Sequence, residues 1–352
     1  MAGRLKSGVV AALRFLVGPV VLALVVALGA GAPAGAAPGP QEGPDQLLAR
    51  YKDLGNQAEQ ASEAMNQAQV DFTQRNNDLR QARQAQSDAQ RTLAGLQVRE
   101  AALQKDVNAI ARASYMGARV NRLYAVLVSD SPQSLLDQMS TLEVVSRKTT
   151  RQIRDFKQTR AAAEKARNDA QKAEDSANTA IQAVNKTRAD LQSKQSKLQM
   201  QILQVKSVYE AMTGKQLAAL IGPTISFDPR LIPPGTSAAT IAVQAALSRI
   251  GDPYVWGATG PNQFDCSGLM MWAYKQAGKT IPRTSEAQQA GGKPVSRNDM
   301  QPGDLVIYYS DAHHVGMYIG DGYVVHASTF GVPVKVATVD GAGPFASAVR
   351  YS

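Results

Sequence analysis

The sequence predicts an α+β domain at the C-terminal end, preceded by a long all-α coiled-coil hairpin. Two observations predict this architecture: a heptad pattern of apolar residues through 45–220, and a change after the Pro- and Gly-rich stretch 221–236 to short strand-like and helical runs. A third narrows the chemistry. The 352 residues include one Cys and three His, and all four fall in the last third of the chain.

The elements follow in order. Arg4, Lys6 and Arg14 form a basic lead-in, Phe15 to Leu28 is an almost unbroken apolar run, and Ala34-Gly35-Ala36-Ala37 precedes Pro38. That is the pattern of a secretory signal peptide over residues 1–37, cut near Ala36 or Ala37. An uncleaved anchor is the alternative, but the run is shorter than the ~20 residues a spanning helix needs. The expected product is secreted and associated with the cell envelope. Its net charge of +9 would attract anionic envelope polymers. Nucleic acid is not expected, because basic stretches interleaved with aromatics are missing.

In the first helical arm Leu47, Leu54, Ala61, Ala68, Ala82, Ala89, Leu96, Leu103 and Ile110 share one seven-residue register, interrupted by Arg75. Tyr51, Ala58, Met65, Phe72, Leu79, Leu93 and Val107 occupy the companion positions. In the second arm Ala163, Ala170, Ala177, Val184, Leu191, Leu198, Val205 and Met212 are successive heptad positions. Two such arms predict a hairpin folded on itself, with pairing between chains the open alternative. The tip, 115–148, breaks the heptads with Gly117, Pro132 and the clusters 123–127 and 135–139. Asp130 or Ser131 could cap a short helix with Pro132 at its first position. The bulky apolar residues there suit either a docking surface or a small satellite core.

Beyond the linker 221–236, a helix is expected from Ser237 to about Ile250 and another from Cys266 to Ala277, ended by Gly278. Strand-like runs follow at Asp304–Tyr309, His314–Ile319, Tyr323–Ala327 and Val332–Ala337.

An unpaired Cys in an exported chain reads as a nucleophile rather than a staple. Cys266 begins a helix, whose partial positive end favours thiolate and whose N–H groups could cradle an oxyanion. A His can take the thiol proton and pass it to a leaving amine. The turn Gly320-Asp321-Gly322 decides which His can act. A two-residue turn would put His314 and His326 on opposite faces of their strands. A three-residue turn pairs His326 with Gly316 and puts both on one face. The second arrangement is expected, with His314 as base and His326 orienting it. His313 would point to the other face and be exposed. A zinc site would need three or four ligands, and no second Cys exists, so neither a metal nor another cofactor is expected.

The segments 251–257, 265–269, 282–285, 302–305, 314–318 and 326–327 together resemble the NlpC/p60 cysteine peptidases. The resemblance implies a papain-like fold over 237–352 and hydrolysis of peptidoglycan stem peptides, usually at the D-isoglutamyl–diaminopimelate bond. By residue it implies Cys266 as nucleophile, His314 as base, His326 as polar third member and Tyr254 near the thiol and oxyanion. Asp265 and Ser267 would line the substrate site, while Arg283 suits either a substrate carboxylate or a structural ion pair. The whole layout is similar to the Rip-type hydrolases of actinobacterial cell division. That likeness implies a coiled coil that restrains the peptidase and docks on the membrane protein FtsX. Two other readings stay open: a non-catalytic adaptor for another hydrolase, and an amidase or acyl transferase on the same fold.

Overall fold

The structure, a computed structural model, describes residues 44–116, 131–223, 225 and 237–351. The signal peptide, the cluster 123–127 and most of the linker lie outside the described residues.

Helices α1 (Pro44–Tyr115, 72 residues) and α2 (Pro132–Glu210, 79 residues) make the arm. At ~1.5 Å per residue they are about 110 Å and about 120 Å long. They run antiparallel: Tyr51 meets Tyr209, Arg188 lies over Phe72, and Gln152 donates to Asp106. Ala163, Ala170, Ala177, Val184, Leu191, Leu198 and Val205 form a buried heptad seam on α2. Alanine in its first part allows close backbone approach, and leucine nearer the base adds burial.

The expected short helix at the tip is not what forms. Ser131 does cap it, its Oγ accepting from Ser134 N at 3.2 Å, with Pro132 in the first turn. The helix then continues to Glu210, because neither Gly nor Pro interrupts residues 133–210. Helix α3 (Gly214–Ile221) follows, opened by a capping box between Thr213 and Gln216.

The C-terminal part packs α4 (Ala238–Leu247) and α5 (Cys266–Gln276) on one face of an antiparallel sheet, with α6 (Ser285–Gly291) beside it. The strands are β1 (Lys293–Val295), β2 (Leu305–Tyr308), β3 (His314–Gly320), β4 (Tyr323–His326), β5 (Lys335–Thr338) and β6 (Phe345–Arg350), in the order β1-β6-β2-β3-β4-β5. Ala242, Val243 and Ala246 of α4, with Leu269, Met270 and Ala273 of α5, meet Leu305, Ile307, Val315 and Met317 of the sheet in the main core.

The hairpin β3–β4 has the expected register by an unexpected device. Met317 pairs with Val325 and Tyr318 with Val324, which sets His326 opposite Gly316. The turn itself has two residues, Asp321 (φ 52°) and Gly322 (φ 79°), and the extra residue is Ile319, bulged between Tyr318 and Gly320.

A second core joins the arm to this domain. Tyr51, Ala58, Val205, Val208 and Met212 are buried around Phe330, which stands on the loop after β4. Phe330 stacks on Trp256 with centroids 5.4 Å apart and meets Tyr209 edge-on at 5.3 Å. Tyr51 donates its hydroxyl proton to the Phe330 carbonyl, and Gly331 leaves the space its side chain would fill to the Tyr209 ring. Phe330→Ala should weaken this junction by about 2 kcal/mol, below the ~3–5 of a fully buried Phe. The check is amide hydrogen exchange over residues 47–66, which should quicken; unchanged protection there would mean the junction does not hold α1.

Candidate active site

Asp265 builds the head of α5. Its Oδ1 accepts from Gly268 N at 2.7 Å as the helix N-cap, and its Oδ2 accepts from Gly257 N at 2.9 Å. Arg283 holds both carboxylate oxygens, with NH1 3.2 Å from Oδ1 and NH2 2.5 Å from Oδ2. Its NH1 also donates to Ser267 Oγ at 2.7 Å. Arg283 is thus an ion-pair partner of Asp265. Gly268 lies so close under the Ala258 carbonyl that no side chain fits. Gly268→Ala should therefore displace the α5 head and destabilise the domain by about 3 kcal/mol or more, read in thermal unfolding.

Cys266 is fully buried at the first position of α5. His314 opens β3 and His326 closes β4, and His314 Nε2 lies 2.9 Å from His326 Nδ1. Burial, then the neighbouring His314 and Lys335, hold the His326 pKa well below its usual value. His326 is therefore neutral and can accept at Nδ1 while His314 Nε2 donates. Tyr254 is buried nearby, and its hydroxyl has no hydrogen-bond partner among the described residues.

His313 departs from expectation: it is 4% exposed rather than on the surface. Its ring stacks on Tyr309 at 4.0 Å, and its Nδ1 lies 2.5 Å from Asp311 and 3.5 Å from Gln60. The cover comes from α1.

That cover is what sequence reasoning missed. Asn56, Glu59, Gln60, Glu63, Asn66 and Gln67 recur at helical spacing along α1 and meet Tyr309, His314, His313, Ser267, Asp265 and Thr284 in turn. Glu59 Oε1 lies 2.6 Å from His314 Nδ1. Glu63 Oε1 accepts from Ser267 Oγ at 2.7 Å and stands 4.0 Å from Cys266 Sγ. Its Oε2 accepts from Ser285 N at 2.8 Å and Ser285 Oγ at 3.1 Å. Asn66 Nδ2 donates to Asp265 Oδ2 at 3.4 Å. One signal in the sequence could have found this face: residues 53–74 contain no Lys or Arg, in a chain that has 38 of them.

The electrostatic effect on the thiol is opposite to that expected of a helix N-terminus alone. Burial, then Glu59, Glu63 and Asp265, push the Cys266 pKa well above its usual value. Glu63 itself is raised to about 7, by burial first and then by Asp265. With α1 in place Cys266 is kept as thiol, and His314 Nδ1 is occupied by the Glu59 carboxylate. A cavity of about 730 Å³, lined in part by Asn56, Glu59, Tyr309, His314, His326 and Lys335, remains beside the His pair.

A Cys at a helix head, packed on an antiparallel sheet whose strands carry a hydrogen-bonded His pair, defines a cysteine peptidase of papain-like fold. The chain belongs to the NlpC/P60 family, whose profile matches residues 251–350. It is 37% identical over 345 residues to a Mycobacterium tuberculosis protein named "Probable endopeptidase", across 87% of this chain and 90% of that one. A Corynebacterium glutamicum protein of the same name is 54% identical over 118 residues, covering 34% of this chain and 56% of the relative. Among solved structures, the NlpC/p60 domain of the peptidoglycan hydrolase SagA is 34% identical, with a TM-score of 0.31, covering 32% of this chain and 98% of that one.

Proposed function

We propose that this peptidase is a secreted peptidoglycan endopeptidase that cuts stem peptides, at the D-isoglutamyl–diaminopimelate bond, and that α1 restrains it until the arm is engaged. Cys266 Sγ attacks the stem-peptide carbonyl as His314 Nδ1 takes its proton. His314 then returns the proton to the leaving amine, and water hydrolyses the acyl-enzyme. His326 orients His314 through the 2.9 Å contact. The N–H groups at the head of α5 and the Tyr254 hydroxyl are the donors available to the oxyanion.

One observation carries the reading of restraint: Glu59 sits 2.6 Å from the nitrogen of His314 that must receive the thiol proton. A base already held by a carboxylate does not activate a nucleophile. The partner that would draw α1 away is a membrane protein of the FtsX type, engaged through the far end of the arm in cell division. The resemblance of layout to the Rip-type hydrolases supports this partner.

Digestion of purified peptidoglycan by the chain from residue 38 onward, with fragments identified by mass spectrometry, tests the bond. Stems ending at isoglutamate are expected. Whole stems freed from glycan would mean an amidase instead. No cleavage, even after α1 is released by mutation, would leave an adaptor. Addition of the extracellular part of FtsX should raise the rate, and binding without a rise in rate would separate docking from activation.

A further inference from the structure

We propose that Glu59, Cys266 and His314 together form a divalent-metal site of the zinc class, complete only while α1 lies in the cleft. The proposal rests on α1 being seated as described under the proposed function. Donor atoms of the three side chains, one from each, lie within 4.8 Å of one another, and all three residues are buried. A thiolate, an imidazole and a carboxylate are a donor set that zinc accepts, with water or another ligand in the fourth position. Zinc–ligand bonds of ~2.0–2.3 Å put tetrahedral ligand atoms roughly 3.3–3.8 Å apart. The 2.6 Å between Glu59 Oε1 and His314 Nδ1 would widen by about 1 Å, within reach of a rotation of the Glu side chain.

Three further observations favour an ion. Glu59, Glu63 and Asp265 are buried around the thiol, and the guanidinium of Arg283 is already committed to Asp265. A divalent cation would supply positive charge that this buried cluster lacks. His314 also has the second contact typical of a ligating imidazole, since His326 fixes its far nitrogen at 2.9 Å. Finally, the cavity of about 730 Å³ is lined by Glu59 and His314, so an ion can arrive from solvent without α1 leaving. The Cys and His of the sequence supply two ligands. The third comes from Glu59, 255 residues before His314.

The proton balance is simple. On binding, the Cys266 thiol releases its proton to solvent, the proton shared between Glu59 Oε1 and His314 Nδ1 leaves with it, and the metal takes a lone pair from each of the three side chains. The ion thereby holds α1, nucleophile and base together.

The test is calorimetric titration of zinc chloride into the full chain stripped with EDTA, beside Glu59→Gln and Cys266→Ser. Cobalt(II) absorption supplies the signature of a metal–thiolate bond. Wild type should bind one ion with proton release and show the thiolate band. Cys266→Ser should lose the band, and Glu59→Gln should weaken binding at least about tenfold. The Gln variant keeps a hydrogen-bonding oxygen toward His314, so labelling of Cys266 by a thiol reagent in EDTA reports whether α1 stays seated. Zinc bound equally tightly by wild type and Glu59→Gln would overturn the proposal, and so would no binding to a wild type that labels slowly. Fast labelling of metal-free wild type would overturn the restraint reading first.

Discussion

Cys266→Ala should lower stem-peptide release by at least roughly 10⁴-fold, the scale on which loss of a covalent nucleophile acts. The substitution removes the one thiol in the chain, so no other side chain can form the thioester. It should not unfold the domain. The N-cap at Asp265, its bonds to Gly257 and Gly268 and its pairing with Arg283 do not involve the sulfur. The melting temperature is expected to stay within about 3 °C of the parent, corresponding to roughly 1 kcal/mol. Cleavage that survives in Cys266→Ala, with the fold intact, would remove Cys266 from the mechanism. Loss of cleavage together with collapse of the melting transition would leave its role open to the Cys266→Ser variant.

Replacing Glu59 and Glu63 together by Ala should have the opposite effect, raising the rate of the full chain. Each hydrogen bond to a charged group contributes about 1.5–3 kcal/mol before the cost of burying that charge. Glu63 accepts three such bonds, from Ser267 Oγ and from Ser285 N and Oγ. Part of that gain is offset, because burial and Asp265 raise its pKa to about 7. A net loss of about 1.5–3 kcal/mol for the pair corresponds to roughly 10- to 150-fold more open chain. Steady-state hydrolysis by the full chain should rise by that factor while hydrolysis by residues 237–352 serves as the ceiling. If the double variant is no faster than the parent, these two carboxylates do not restrain the enzyme. The single variants divide the effect: Glu59→Ala frees the base, and Glu63→Ala frees the pocket of Ser267 and Ser285.

Much of the fold was legible because its signals are local and periodic. The heptads from Ala163 to Val205 are the buried seam of α2, and the 3.6-residue helix makes any such repeat visible in one segment. The placement of His314 and His326 on one face was legible for another reason: strand alternation has period two, so the register decides the face. The bulge at Ile319 that achieves the register was not legible, since a two-residue turn plus a bulge and a three-residue turn leave the same trace in sequence. Strand β6, Phe-Ala-Ser-Ala-Val-Arg, has little β-propensity of its own and exists by pairing with β1 and β2. The seating of Glu59 and Glu63 was hidden more deeply. On a helix, a polar stripe beside an apolar one looks like a solvated face, and the Ser267 and His314 it meets are over 200 residues away.

The unbroken length of α1 has a mechanical consequence. In the proposed release of α1 the aromatic junction at Tyr51 would serve as the fulcrum, and Glu63 lies twelve residues beyond it, about 18 Å along the rod. Tyr115 lies about 96 Å from the same fulcrum. A sideways push at the far end therefore acts with a lever advantage of roughly five at the cleft, since both arms scale with the same rise per residue. A displacement of about 15 Å at the distal end would lift the Glu63 carboxylate about 3 Å, enough to part it from Ser267 and Ser285. In that release a helix this long would convert a weak, distant touch into a large force applied beside the thiol.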